Sequence, residues 1–246
     1  MGFRAVYPEA KYIKSIVDSL AKLVDEVGII VDGEGFHLKA LDPARVALIE
    51  VMLPAQSFLE YEIEGETSIG LSMANLSKLL ARLKKGDRFE LQASEDYITV
   101  VIHAAIKRVY RFRNLEVQAP EIPEAGLEFN VEAQVLADAI KHAIKDAEAV
   151  GDTLEFEAKD EQALIMRGKG ATITETRLTR DMPALIDLIV KEPSRSAYSI
   201  EYLKHALALT KIAEATIVKF STDAPIYMEF AIAGEGRVKY LLAPKA

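Results

Sequence analysis

The chain has 246 residues, half of them hydrophobic, with 30 basic and 38 acidic side chains and a formal net charge of −8. That length holds one large domain or two of ordinary size, with enough apolar material for a substantial core. The absence of cysteine excludes disulfides, thiolate metal sites and cysteine nucleophiles, and the acidic sum, taken alone, argues against DNA binding, which usually goes with an overall basic balance.

In chain order, a first helix is expected over residues 10–27, with Ile13, Ile16, Val17, Leu20, Leu23, Val24 and Val27 on one face. Lys11, Lys14 and Lys22 lie opposite, mixed with Asp18 and Asp25. Because Lys11 and Lys14 belong to this mixed-charge pattern, the N-terminus does not read as a targeting signal. The longest aliphatic run, from Val27 to Val31, is far too short to cross a bilayer. The expectation is a soluble, intracellular protein with no membrane partner, cytoplasmic and nucleoid-associated, or nuclear in a eukaryote. Gly33-Glu34-Gly35 reads as a hairpin turn and is too short a glycine pattern for a nucleotide loop. Strands are expected at 36–41, 46–53, 89–92 and 98–102. Between them, residues 73–85 form a second helix, with Leu76, Leu79, Leu80 and Leu83 inward, Lys78, Arg82 and Lys85 outward, and no acidic residue. Residues 107–113 are β-prone and largely alternating.

Residues 118–128 contain Pro120 and Pro123 without strong periodicity and read as a linker at the midpoint. A third helix is expected at 133–149, with Leu136, Ile140, Ala143, Ile144 and Ala147 apolar, and with Lys141 and Lys145 opposite beside Asp138. Strands follow at 153–157, 164–167 and 217–220, and residues 172–178 are β-prone. A fourth helix is expected at 200–212, where Lys204 and Lys211 oppose Tyr202, Leu203 and Ala206. Gly234-Glu235-Gly236 is a second hairpin turn. The first and third helices start about half a chain apart, as do the second and fourth. The reading is an α+β protein of two similar domains, each with two helices packed on antiparallel sheet.

Four helices with cations opposite their core faces would give an acidic protein one basic surface. Such a surface holds phosphates without reading bases. The candidate contacts are Lys14, Lys22, Lys78, Arg82, Lys85, Lys141, Lys145, Lys204 and Lys211. No catalytic constellation is visible. His37, His103, His142 and His205 lack metal-ligand spacing, and no serine sits in a nucleophile elbow. No metal or cofactor is implied.

The chain ends on a strand followed by an apolar tail, Leu241-Leu242-Ala243-Pro244-Lys245, in which Pro244 has no N–H to donate. With Asp223-Ala224-Pro225, this ending closely resembles that of the DNA sliding clamps called proliferating cell nuclear antigen. Gly35-Phe36-His37-Leu38-Lys39-Ala40-Leu41-Asp42, Val46-Ala47-Leu48-Ile49-Glu50-Val51, Ser77-Lys78-Leu79-Leu80, Asn114-Leu115-Glu116-Val117 and Ile122-Pro123 extend the resemblance colinearly over essentially the whole chain. It departs at Ser15, Ala21 and Ala81, where a clamp often has lysine, and at Glu201, where a basic residue is common.

The resemblance implies two clamp domains, 1–117 and 127–246, joined by a connecting loop at 118–126. It implies a ring of three subunits, identical or paralogous, around duplex DNA held without sequence specificity. Subunits would pair through exposed edge strands, using Arg108, Tyr110 and Phe112 on one side and Ile173, Glu175 and Arg177 on the other. Leu41, Arg45, Val46, Leu48, Ile122, Pro123, Pro225, Leu241, Leu242, Ala243 and Pro244 would form a pocket for short peptide motifs of DNA polymerase, the clamp loader, flap endonuclease and DNA ligase. The alternative within the family is a specialised subunit of a heterotrimeric or checkpoint-type ring. An enzyme outside the clamp fold is the competing class.

Overall fold

A computed structural model describes residues 2–120, 122 and 126–245. Two compact units emerge. One comprises Met1–Pro43, Ile49–Glu121 and Ile232–Val238; the other comprises Ala44–Leu48, Ile122–Ala231 and Lys239–Ala246.

The strands of the first half are β1 (Phe3–Tyr7), β2 (Glu26–Val31), β3 (Gly35–Leu41), β4 (Ala47–Pro54), β5 (Glu60–Ile63), β6 (Thr67–Ser72), β7 (Arg88–Ala93), β8 (Tyr97–His103) and β9 (Arg108–Arg113). Its helices are α1 (Ala10–Leu23) and α2 (Met73–Leu80). One sheet runs β5-β1-β7-β8-β9, and β3-β2-β6 are consecutive in another. Every register recorded among these strands is antiparallel. Helix α1 buries Ile13, Ile16, Val17, Leu20 and Leu23, the stripe its periodicity announces. It stops four residues short of the expected end. Val24 turns extended, and Glu26–Val31, rich in β-branched residues, pairs with β3 and β6 instead. Ser15, one of the departures from the clamp pattern, is buried. Helix α2 begins where Ser72 Oγ accepts the N–H of Asn75 and ends at Leu80, so Arg82 and Lys85 sit in the turns beyond it.

In the second half the strands are β10 (Val131–Leu136), β11 (Gly151–Ala158), β12 (Ala163–Gly170), β13 (Ile173–Thr179), β14 (Leu185–Val190), β15 (Ser194–Ser199), β16 (Ala215–Phe220), β17 (Ile226–Ile232) and β18 (Gly236–Leu242). The helices are α3 (Ala137–Glu148) and the single turn α4 (Ile200–Leu203), continued as a 3-10 helix over Lys204–Lys211. One sheet runs β13-β12-β11-β15, and β14-β10-β16-β17 are consecutive in the other. Residues 133–136, expected as helix, are strand. Val131, Ala133 and Val135 are buried and alternate with Glu132, Gln134 and Leu136, and β10 is paired on both sides. The fourth helix tightens for a readable reason. Its most deeply buried residues, Ile200, Leu203, Ala206 and Leu209, are spaced by three, which is the repeat of a 3-10 helix and not of an α-helix; Ala208, Thr210 and Ile212 are buried less completely. No helix among the described residues is long and apolar enough to cross a membrane.

Two glycines place the chain segment that leaves β9. Gly28 on β2 and Gly70 on β6 are direct cross-strand partners. A Cβ on Gly70 would lie 1.9 Å from the Leu115 carbonyl oxygen, and one on Gly28 would lie 2.7 Å from that of Val117. Residues 115–117 therefore cross bare backbone. Asn114 fixes the crossing: its Oδ1 accepts the Gly70 N–H at 2.8 Å, and its Nδ2 donates to the carbonyls of Ser68, Ser94 and Glu95. The Leu115 N–H returns to the Gly70 carbonyl at 3.2 Å. Gly70→Ala forces a methyl group into backbone that cannot yield cheaply. The expected cost is about 1–3 kcal/mol, read as a lower Tm, with faster amide exchange at Leu115 and Val117 than elsewhere in the unit.

The first sheet carries a charge cluster around the buried Glu90. Arg4 on β1 meets Glu60 and Glu62 on β5 and Glu90 on β7, the last at 2.8 Å; His103 Nε2 and Gln92 also bond Glu90. Burial pushes the Glu90 carboxyl up. The hydrogen bonds from Gln92, His103 and Arg4, with the Arg4 charge, outweigh that and hold it down at about 2, from an ordinary 4.5. A depressed carboxyl stabilises the fold above its unfolded pKa and loses that contribution as pH falls through the folded value. Glu90→Gln, which removes the buried one of Arg4's three carboxylate partners and leaves the two more exposed ones, should cost about 1–3 kcal/mol at neutral pH. In urea titrations the gap between parent and variant should close as pH drops from about 4.5 towards 2.

Candidate functional site

Three surfaces gather the residues singled out by the sequence: two sheet edges, the outward sides of the helices, and the tail.

The edges come first because their backbone geometry is determinate. β9 ends one sheet and β13 ends another. In an antiparallel ladder, opposed residues alternate between pairs that exchange both backbone hydrogen bonds and pairs that exchange none. The Asn114 N–H donates to the Asp96 carbonyl at 2.9 Å, one step beyond the pair Tyr97–Arg113. The bonded pairs on β9 are therefore Ile98–Phe112, Val100–Tyr110 and Ile102–Arg108, and the backbone groups of Val109, Arg111 and Arg113 face outward. The Arg180 N–H donates to the Gln162 carbonyl at 3.3 Å, one step beyond Ala163–Thr179. By the same count, Ile173, Glu175 and Arg177 turn their backbone groups outward on β13. Val109 and Ile173 are also among the most exposed apolar side chains, at 59% and 68%. Tyr110, expected to lend a ladder donor to a neighbour, spends its N–H on Val100; the donors available there belong to Val109, Arg111 and Arg113.

The helix cations divide into two classes. Lys14 is bound to Asp18 on its own helix, Lys141 to Asp138 at 2.5 Å, and Lys204 to Glu148 at 2.5 Å. Asp18 also accepts the Ser77 hydroxyl at 3.0 Å, tying α1 to α2. By contrast, Lys78, Arg82, Lys85, Lys145 and Lys211 are exposed, and no ion pair holds them among the described residues. Lys22 is exposed as well. Helical spacing set Asp18 and Asp138 beside their lysines but not Glu148, because Glu148 and Lys204 are far apart in sequence.

The tail is strapped down by its own backbone. The Ala243 N–H donates to the Val46 carbonyl at 2.8 Å, and the Lys245 N–H donates to the Ala197 carbonyl on β15 at 2.7 Å. Lys245 Nζ then reaches Asp152 at 2.8 Å and Thr153 Oγ1 at 2.7 Å. Since Pro244 has no N–H, residues 243–245 keep only carbonyls to offer a partner. Leu242 and Leu48, both expected in the pocket, are buried at 2% and 9% exposure and serve the core. Leu241, Ala243, Pro244, Val46, Pro225 and Ile122 are half-buried, as is Leu41 at the end of β3. Arg45 is exposed and holds a left-handed φ of 60°, a conformation that non-glycine residues adopt at a cost. Pro225 follows Ala224, whose carbonyl accepts the buried Tyr198 hydroxyl at 2.8 Å. Pro123 lies outside the described residues.

No group of three or more His, Asp or Glu among the described residues is placed to hold a metal ion. The four histidines are scattered: His37 faces Asp32 at 3.3 Å, His103 serves Glu90, His142 is exposed on α3, and His205 packs against the Tyr202 ring.

Two family models match the chain, proliferating cell nuclear antigen, N-terminal domain, over residues 2–121, and proliferating cell nuclear antigen, C-terminal domain, over residues 136–245. The DNA polymerase sliding clamp 1 of Aeropyrum pernix is 42% identical over 240 residues, covering 96% of this chain and 97% of the relative. The DNA polymerase sliding clamp of Pyrococcus abyssi is 34% identical over 247 residues, covering 100% and 99%. The crystal structure of the proliferating cell nuclear antigen from Thermococcus kodakaraensis superposes with a TM-score of 0.91 at 30% identity, covering 99% of this chain and 100% of that one. A PCNA2–PCNA3 complex from Sulfolobus tokodaii, at 22% identity and a TM-score of 0.92 over 98% and 99% of the two chains, shares the fold.

Proposed function

The chain belongs to the proliferating cell nuclear antigen family of sliding clamps, and from that premise we propose that it closes with two further subunits into a ring around duplex DNA and tethers replication enzymes to it. The observation that carries this reading is the pair of open edges. β9 and β13 each present outward backbone groups at three alternate residues, and they are unlike in sequence. Two unlike edges on one chain favour head-to-tail pairing, which generates a ring when the rotation closes. A topological link tolerates weak, base-blind phosphate contacts, which is what scattered lysines supply. The decisive experiment loads the protein onto nicked circular DNA with a clamp loader and then cuts the circle. Retention on the circle and release from the cut ends supports a ring; equal retention on both sinks it.

The two classes of cation sharpen the expectation for DNA. Replacing Lys78, Arg82 and Lys85 together with alanine should weaken salt-sensitive DNA retention more than replacing Lys14, Lys141 and Lys204, whose charge is already engaged. Titrating retention against salt for both triple variants checks this. For assembly, Arg111→Pro removes an outward donor and Tyr110→Pro an inward one. Arg111→Pro should lower the sedimentation coefficient to that of a monomer with the melting profile little changed, since edge strands accept proline at an outward N–H. Tyr110→Pro should also destabilise the fold.

Partner capture is assigned to the half-buried apolar residues around the tail, Val46, Ile122, Pro225, Leu241, Ala243 and Pro244, with Arg45 beside them. They suit short peptides with aliphatic and aromatic anchors, such as those carried by polymerases, flap nucleases, ligases and the clamp loader. The mixed-ring reading is retained because PCNA2 and PCNA3 of Sulfolobus tokodaii, which share this fold, were solved as a complex. Sizing the purified chain alone separates the two: a trimer supports the identical ring, a monomer or dimer the mixed one.

A further inference from the structure

β14 is the third edge in the second unit that could accept a strand, and its sequence makes it hazardous. Leu185-Ile186-Asp187-Leu188-Ile189-Val190 has strong β-propensity, no proline and one charge. Ile186, Ile189 and the nearby Met182 and Leu136 are exposed at 48%, 44%, 42% and 38%. β14 is paired only with β10, so its far side is bare. The Lys191 N–H donates to the Asn130 carbonyl at 2.7 Å, one step beyond Val131–Val190, so Leu188 and Val190 are the residues whose backbone groups face outward. Both outward groups of Leu188 are already occupied by side chains. Its carbonyl accepts Arg180 Nη2 at 2.8 Å, and its N–H donates to Asp187 Oδ1 at 2.8 Å. Arg180 is itself held by Glu161, through the Glu161 carbonyl and a carboxylate contact at 3.3 Å. A register irregularity at Gln134–Val135 further disrupts the ladder beside Ile186.

We infer that Arg180 and Asp187 close β14 to strand addition by a second copy of this chain. An incoming strand must find a donor and an acceptor on alternate residues. At the centre of β14 it meets a guanidinium and a carboxylate whose displacement leaves the backbone pair no better satisfied than before. The inference is independent of whether β9 and β13 pair, since it concerns an edge that reading leaves unused.

The test compares the parent with Arg180→Ala/Asp187→Ala by sedimentation velocity across a hundredfold range of concentration. The double variant should form species larger than the parent, growing with concentration. Adding Val190→Pro, which removes the next outward N–H, should restore the parental size, and Asp187→Asn, which keeps an acceptor for Leu188, should behave as parent. Unchanged sedimentation of the double variant overturns the inference. So does enlargement that persists with Val190→Pro, which would mark association through another surface. Loss of the folded circular-dichroism signal in the double variant overturns it too, by making the two side chains structural supports.

Discussion

The unpaired backbone group at a sheet edge is the constraint around which this chain is arranged. A protein built of short antiparallel strands has many edges, and each exposes N–H and C=O groups that water, the chain or a neighbour must satisfy. Here the chain answers for several of them itself. The outward groups of Gly70 on β6 are taken by Asn114 and Leu115. On β15, Arg195 donates to the Thr222 hydroxyl and Ala197 accepts from Lys245. On β14 the task falls to Arg180 and Asp187. What stays open on β9 and β13 contrasts with these covered positions.

The helices add a second layer. They cover the sheets with alternating apolar stripes and leave their charged sides outward, so one amphipathic pattern supplies both core and surface. Yet a basic face is not a count of lysines. Asp18, Asp138 and Glu148 each bind one of the cations that a helical wheel assigns to phosphate. The effective charge is lower and patchier than the count suggests.

Much of this was legible in the residues. Strands with clean alternation, the stripes of α1 and α2, the glycine turns and the apolar tail all follow from local pattern, and the order of elements repeated at half-chain spacing exposed the duplication. The failures share one cause. Residues 133–136 look helical in isolation and become strand because β14 and β16 pair with them on both sides. Val24 leaves α1 because the strand after it is committed to two neighbours. β14 escaped notice as an edge because its protecting contacts run from Arg180, eight residues before Leu188, and from an aspartate bonding to the very next residue. Composition and period carry no trace of either.

The strapped tail also acts as a grammar for whatever lies along it. Ala243 and Lys245 have given their N–H groups to Val46 and Ala197, and Pro244 never had one. This stretch can speak only as an acceptor. A ligand segment running beside it would have to supply N–H groups in step, so proline at a contacting position would be refused whatever its side chains offered. Residues 243–245 would thus screen a visitor's main chain before its anchors were ever weighed.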